Sequence, residues 1–259
     1  MSDISHYMAV ALCSFLAYPV VYGTVAPYML KLLVFQRYAT LDKAKQKYVH
    51  MITTSLIYTA VASPCALYVH HFDQELARAT ENNVLRYDCP AVRYILALVL
   101  GYTTGESVVT LIDVGCSDIS MFGFLAHHVV TGYTALVTCV YPCLPAYANI
   151  GPVTEFSTIW LNIRILLKEL DIPQSSTVNK VNNLAFFLSF SYVRVWLLIF
   201  YEYIPITPLL LTKEFYLLEW PVVVTFLCGS QFFLVINLYW YGLMCMRFPR
   251  VILGYGKND

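Results

Sequence analysis

Apolar stretches of about 20 residues, separated by short polar clusters, recur along the whole chain. A bilayer core of about 30 Å is crossed by a helix of roughly that length. The pattern predicts seven spans: Tyr7–Phe35, Tyr48–His71, Tyr94–Val114, Asp118–Tyr141, Ala148–Lys168, Val178–Tyr203 and Glu219–Phe248. Pro19 and Pro27 predict a kink or an early end in the first. The connections Gly115-Cys-Ser and Pro142 to Tyr147 are short, so the third, fourth and fifth spans are antiparallel neighbours. Gly101 and Gly105 form a GxxxG pattern, which favours close helix packing. The chain divides into residues 1–47 (first helix and a basic loop), 48–248 (a six-helix membrane domain) and 249–259 (a short tail).

Composition supports this class. The 259 residues are 59% apolar and only 12% charged, against about 25% charged in a soluble domain. Net charge is zero, so nothing points to nucleic acid. The eight cysteines (13, 65, 89, 116, 139, 143, 228, 245) form no CxxC pair and lie mostly in apolar runs. They read as small buried hydrophobes, with no disulfide framework and no metal expected. No signal peptide or lipidation motif is expected from the termini.

Positive charge sets the orientation. With the N-terminus outside, the inner loops carry Arg37, Lys43, Lys45, Lys47, Lys168, Lys180, Arg247, Arg250 and Lys257. The outer ones carry Arg78, Arg86, Arg93 and Lys213. Nine against four places the C-terminus in the cytosol and the N-terminus in the lumen.

The polar residues inside the spans are Glu106, Asp113, His127, His128, Glu155, Asn162, Arg164, Arg194, Gln231 and Asn237. A rise of about 1.5 Å per residue gives their depth. Glu106 and His127 reach the same level on either side of the turn near Cys116, and Asp113 is interfacial. Two layers result: Glu106, His127, His128, Asn162 and Asn237 towards the cytosol, and Glu155 with Arg194 towards the lumen. Glu155 and Arg194 read as a structural ion pair. Asn162 and Asn237 read as bonds between helices, and His70-His71 as solvated at an interface.

His127 and His128 are the most informative pair, because ionisable groups at membrane depth are costly. Adjacent helix positions diverge by about 100°, so one ring can line a cavity while the other bonds a neighbour. A neutral imidazole accepts a proton or an acyl group, and Glu106 or Asp113 could orient it. A catalytic site and a structural polar cluster both remain open.

The run His127-His-Val-Val-Thr131, then Gly151-Pro-Val-Thr-Glu-Phe-Ser-Thr-Ile-Trp-Leu-Asn-Ile-Arg164, and Asn237-Leu-Tyr-Trp240 resemble the TLC domain family. The resemblance is to the TLC domain-containing branch related to ceramide synthases, over roughly residues 48 to 248. It implies an all-α membrane protein with six helices in a ring around a lipid-sized cavity, and the first span outside it. It also implies acyl-transfer roles for His127 and His128. Glu155, Ser157, Asn162 and Arg164 match the family's polar run; with Thr131 and Asn237 they are here expected to face lipid. Ceramide synthases carry a further His-Asp after the pair, whereas no histidine follows His128 here.

Three functions are expected from these readings. The first is binding of a membrane lipid or fatty acyl chain in the ring, serving lipid homeostasis. The second is acyl transfer from acyl-CoA, with Glu106 or Asp113 assisting the histidines and no bound cofactor. The third is a non-catalytic subunit or cargo receptor with membrane-protein partners or a second copy. The resemblance implies the endoplasmic reticulum or another endomembrane.

Overall fold

A computed structural model describes residues 4–82, 85–115 and 119–253. Among these the protein is all-α, without strands. Helix α1 is Ile4–Ala39, α2 is Lys43–Phe72, α3 is Gln74–Asn82 and α4 is Pro90–Val114. Helix α5 is Ile119–Val140, α6 is Pro145–Thr154 and α7 is Phe156–Glu169. Helix α8 is Thr177–Leu211, α9 is Lys213–Tyr216, and α10 is Trp220–Met246, its helix continuing to Leu253. Six helices are long and apolar enough to cross a membrane: α1, α2, α4, α5, α8 and α10.

The fifth expected span is two helices instead of one. Pro152 brings no N–H to the ladder and crowds the preceding turn. The next bonds tighten to three residues, Glu155 N–H to Pro152 O at 3.2 Å and Thr158 N–H to Glu155 O at 2.9 Å. Glu155 keeps right-handed backbone angles (φ −67°, ψ −10°), and the break is in the hydrogen-bond ladder. Helix α1 is continuous, as Pro19 is absorbed by a wide π-turn at Val21–Val25, but its backbone departs from helical values at Val34 (φ −141°, ψ 35°).

Glycine sets how α1 sits. A methyl group on Gly101 would collide with the Ala11 carbonyl and lie 2.6 Å from Ser14 Cβ; one on Gly105 would lie 2.7 Å from Tyr18 Cβ. The GxxxG face of α4 therefore lets the α1 backbone approach and brings Tyr18 in beside Glu106. Further contacts pair α2 with α4, α6 and α7, α4 with α5 and α6, α5 with α10, α10 with α8, and α8 with α7.

Ion pairs tie the helix ends together. At the basic end Lys47 Nζ is 2.5 Å from Asp113 Oδ1, and Arg37 donates to the Leu170 and Asp171 carbonyls at 2.8 and 2.6 Å. At the far end Arg86 meets Glu219 at 3.0 Å, and Arg93 meets Asp88 at 3.0 Å and the Cys139 carbonyl at 2.6 Å. Gly115, with φ +87°, ends α4 in a conformation that suits glycine.

Three expectations need adjustment. Cys89, Cys139 and Cys143 are buried, but Cys13, Cys65, Cys228 and Cys245 face outward; Cys116 lies outside the described residues. A thiol is apolar enough to face lipid as readily as core. His70 is not solvated: both its ring nitrogens are buried without a partner, against the Tyr201 ring. Gln231 is exposed on the outer surface of α10.

Candidate functional site

Helix α5 carries the centre of the site. His127, His128 and Thr131 lie within about one turn of each other, so they cover one sector of the helix. His128 is 7% exposed and its Nε2 lies 3.6 Å from Glu106 Oε2 on α4, a carboxyl group with no exposure. Phe124, one turn away, packs its ring 4.0 Å from that of His128, and Tyr102 closes the other side at 6.1 Å. The second imidazole takes a different partner: His127 Nε2 lies 3.9 Å from Glu155 Oε1. Both distances exceed a hydrogen bond, so these are close polar pairings between neighbouring helices.

Glu155 stands at the break between α6 and α7, where the interrupted helix turns its carboxylate inward. Arg194 Nη2 is 3.1 Å from it. Arg194 is 5% exposed and all three nitrogens of its guanidinium donate. Nε donates to the Thr154 carbonyl at 3.2 Å and to Ser157 Oγ at 2.8 Å. Nη1 donates to Asn237 Oδ1 at 3.1 Å, and Nη2 also to Thr158 Oγ1 at 2.9 Å. One arginine thus joins α6, α7, α8 and α10. A buried charge of this kind is tolerated only with such complete pairing.

The two layers expected from depth are therefore one connected cluster. Glu155 bridges His127 and Arg194, and Asn237 joins Arg194. Linear counting assumes straight α-helices. The break at Glu155 and the π-turns Ser191–Trp196 and Leu198–Tyr203 of α8 shift the register. Asn162, 4% exposed, stands apart, donating to Ser55 Oγ at 3.2 Å, which itself pairs with Tyr102 at 2.8 Å. Asp113 is not brought to the histidines: Lys47 and the Tyr22 hydroxyl hold it at the basic end. Arg164 is exposed and lines neither cavity described below.

Two cavities meet at this cluster. One, of about 120 Å³, lies between α4, α5, α6, α8 and α10 and runs from Asn237 to Tyr141 and Cys143 at the far end. The other, of about 180 Å³, lies between α1, α2, α4 and α5 and is walled by Val21, Ile57, Tyr58 and Tyr102. His127, Thr131 and Glu155 line both. Each has the scale of a cavity that admits one benzene, about 150 Å³. In the wall of the first, burial pushes the Cys143 thiol up to about 11, which keeps it neutral.

Sequence reasoning missed Tyr18, Tyr58, Tyr102, Ser55 and Thr158. Tyr102 precedes Glu106 by four residues, a spacing that puts both on one face. Tyr18 and Ser55 carried no such signal, since they arrive from other helices. Away from the cluster, Asp73, Glu75 and Cys89 offer ligand atoms within 4.8 Å of one another at the far end, the one group of metal-ligating type among the described residues.

A search of curated proteins found no match. The model of the TLC domain matches residues 49–246, from the start of α2 to the end of α10. That covers most of the sequence and leaves α1 outside it. With six helices able to cross a membrane, the protein is an integral membrane protein that belongs to the TLC domain family.

Proposed function

We propose that this protein binds a lipid or fatty acyl chain between its helices and contributes to membrane lipid homeostasis. The observation that carries the reading is the meeting of two mainly apolar cavities at His127, Thr131 and Glu155. Apolar walls with a few convergent polar groups are the usual make-up of a ligand site. Here the polar groups sit where an acyl chain and its head would join. The family and the basic end, facing the cytosol by the distribution of positive charge, support an endomembrane location with a lumenal N-terminus.

Mass spectrometry of lipid retained by the purified protein tests the reading. The wild type is expected to retain a defined acyl species, and His128→Ala to change its amount or identity. Glu106→Gln combined with His128→Ala avoids leaving a buried carboxyl group unpaired, so the double variant separates misfolding from lost binding. Lipid content unchanged in both folded variants contradicts binding at that ring.

Acyl transfer is the second reading, favoured by the two imidazole–carboxylate pairings. A histidine would take the proton of an alcohol or amine acceptor while that atom attacks the thioester and coenzyme A leaves as the thiol. Cytosolic acyl-CoA would need a route from the basic end, and none of Lys43, Lys45 and Lys47 lines either cavity. Labelled acyl-CoA offered with several alcohols and amines should give a histidine-dependent product; none across the series removes this reading.

A further inference from the structure

We infer that the cavity between α1, α2, α4 and α5 seats the uncharged hydroxyl head of a long-chain lipid, a fatty alcohol or an acylglycerol, and discriminates against phosphate and ammonium heads. The inference rests on the lipid-binding reading and adds the chemical class of the ligand.

Three polar atoms of the residues lining this cavity are buried without a hydrogen bond: Nδ1 of His127, Nδ1 of His128 and Oγ1 of Thr131. Thr131 is informative because its neighbours behave differently. Thr134 and Thr138 on the same helix donate back to the carbonyls four residues earlier, at 2.9 and 3.1 Å. That is the usual resting place of a threonine hydroxyl in a helix. Leaving such a group unbonded in an apolar setting is unfavourable. An occupant that completes the bonds removes that cost.

The imidazoles fix what the occupant must offer. Nδ1 of a neutral imidazole donates in one tautomer and accepts in the other, and the Thr131 hydroxyl does both. Two such nitrogens and one hydroxyl call for a head that both donates and accepts. An alcohol does both with one oxygen. A carboxylate or phosphate monoester dianion accepts only, and an ammonium donates only.

Charge reinforces the choice. Arg194 is the one cation among the buried residues of this cluster; it does not line the cavity, and each of its nitrogens already donates, to Thr154, Ser157, Asn237, Glu155 and Thr158. No cation is left for a phosphate. Glu155 is matched by Arg194 and Glu106 does not line the cavity, so no free anion is left there for an ammonium. A charged head here would be buried unpaired, which is strongly unfavourable. The rest of the wall, Val21, Ile57, Val61 and Leu98, suits a hydrocarbon tail. Val61 is 58% exposed on the outer face, so the cavity reaches the membrane between α1 and α2, where the tail would lie.

Competition binding on the purified full chain in detergent micelles tests this, with labelled 1-monooleoylglycerol as the probe. Competitors share the eighteen-carbon chain (about the length of a common lipid tail) and differ in head: oleyl alcohol, oleoyl lysophosphatidate, oleylamine and octadecene. Monooleoylglycerol and oleyl alcohol are expected to compete, with lysophosphatidate and oleylamine roughly a hundred-fold weaker. Thr131→Val, nearly the same shape, should weaken the two alcohols about five-fold and leave octadecene unchanged. Competition by lysophosphatidate or oleylamine as strong as by the alcohol overturns the inference. So does equal competition by all chains whatever their head, which leaves lipid binding standing. Failure of every chain to bind removes both readings.

Discussion

At the residue scale, Arg194 holds the site together more than either histidine does. It links four helices through the Thr154 carbonyl, Glu155, Ser157, Thr158 and Asn237. Arg194→Met would leave Glu155 buried opposite an apolar side chain. Breaking a buried pair costs about 3–5 kcal/mol, and the low end applies because the Glu155 side chain keeps 22% exposure. Thermal unfolding in detergent is expected to show that loss, with Glu155→Gln restoring part of it in the double variant. Equal stability of Arg194→Met and the wild type would contradict the assigned role. The sequence made these residues conspicuous, because charges in apolar runs are few. It did not reveal that Glu155 touches His127 as well as Arg194, since that contact depends on a helix break.

At the scale of the element, departures from regular helix shape the site. The π-turn of α1 contributes Val21 to the second cavity, that of α10 contributes Thr225, Phe226, Gly229 and Ser230 to the first, and that of α8 contains Arg194. Such wide turns often occur at functional sites because one extra residue re-aims the following face. Apolar run length reveals that a helix crosses, but not where it widens, so this part of the site was not legible. The Gly101–Gly105 pattern was legible, and its consequence is testable. Gly101→Ala pushes into Ser14 and the α1 backbone and should cost about 1–3 kcal/mol by overpacking. Gly23→Ala, with open space around the position, should be neutral or stabilising by under about 1 kcal/mol. Melting temperatures of the two variants check the contrast; equal values would deny the close contact of α1 with α4.

At the scale of the molecule, apolar cores surround the polar cluster. Tyr147, Phe215, Val222 and Phe226 pack at the far end, Leu30, Tyr38 and Val49 at the basic end, and a third core with Val92, Val99, Ala135, Val153 and Val193 reaches the cluster itself. The outward faces are apolar, as Leu12, Leu33, Val129 and Val235 illustrate, which suits a protein solvated by lipid tails. Helix number and class were readable because crossing a bilayer demands long apolar runs. The fifth crossing was misread as one helix because Pro152 and Glu155 were judged by an apolar count rather than as a break. Whether an acyl chain enters the middle is the central claim, and a fatty acyl probe with a photoreactive group along its chain tests it most directly. After irradiation of the purified protein, labelled peptides are expected to carry the adduct at Tyr102, Thr131, Thr134 or Phe233, with excess unlabelled lipid suppressing it. Adducts confined to outward residues such as Leu12, Leu33 and Val235, and insensitive to competitor, would contradict it.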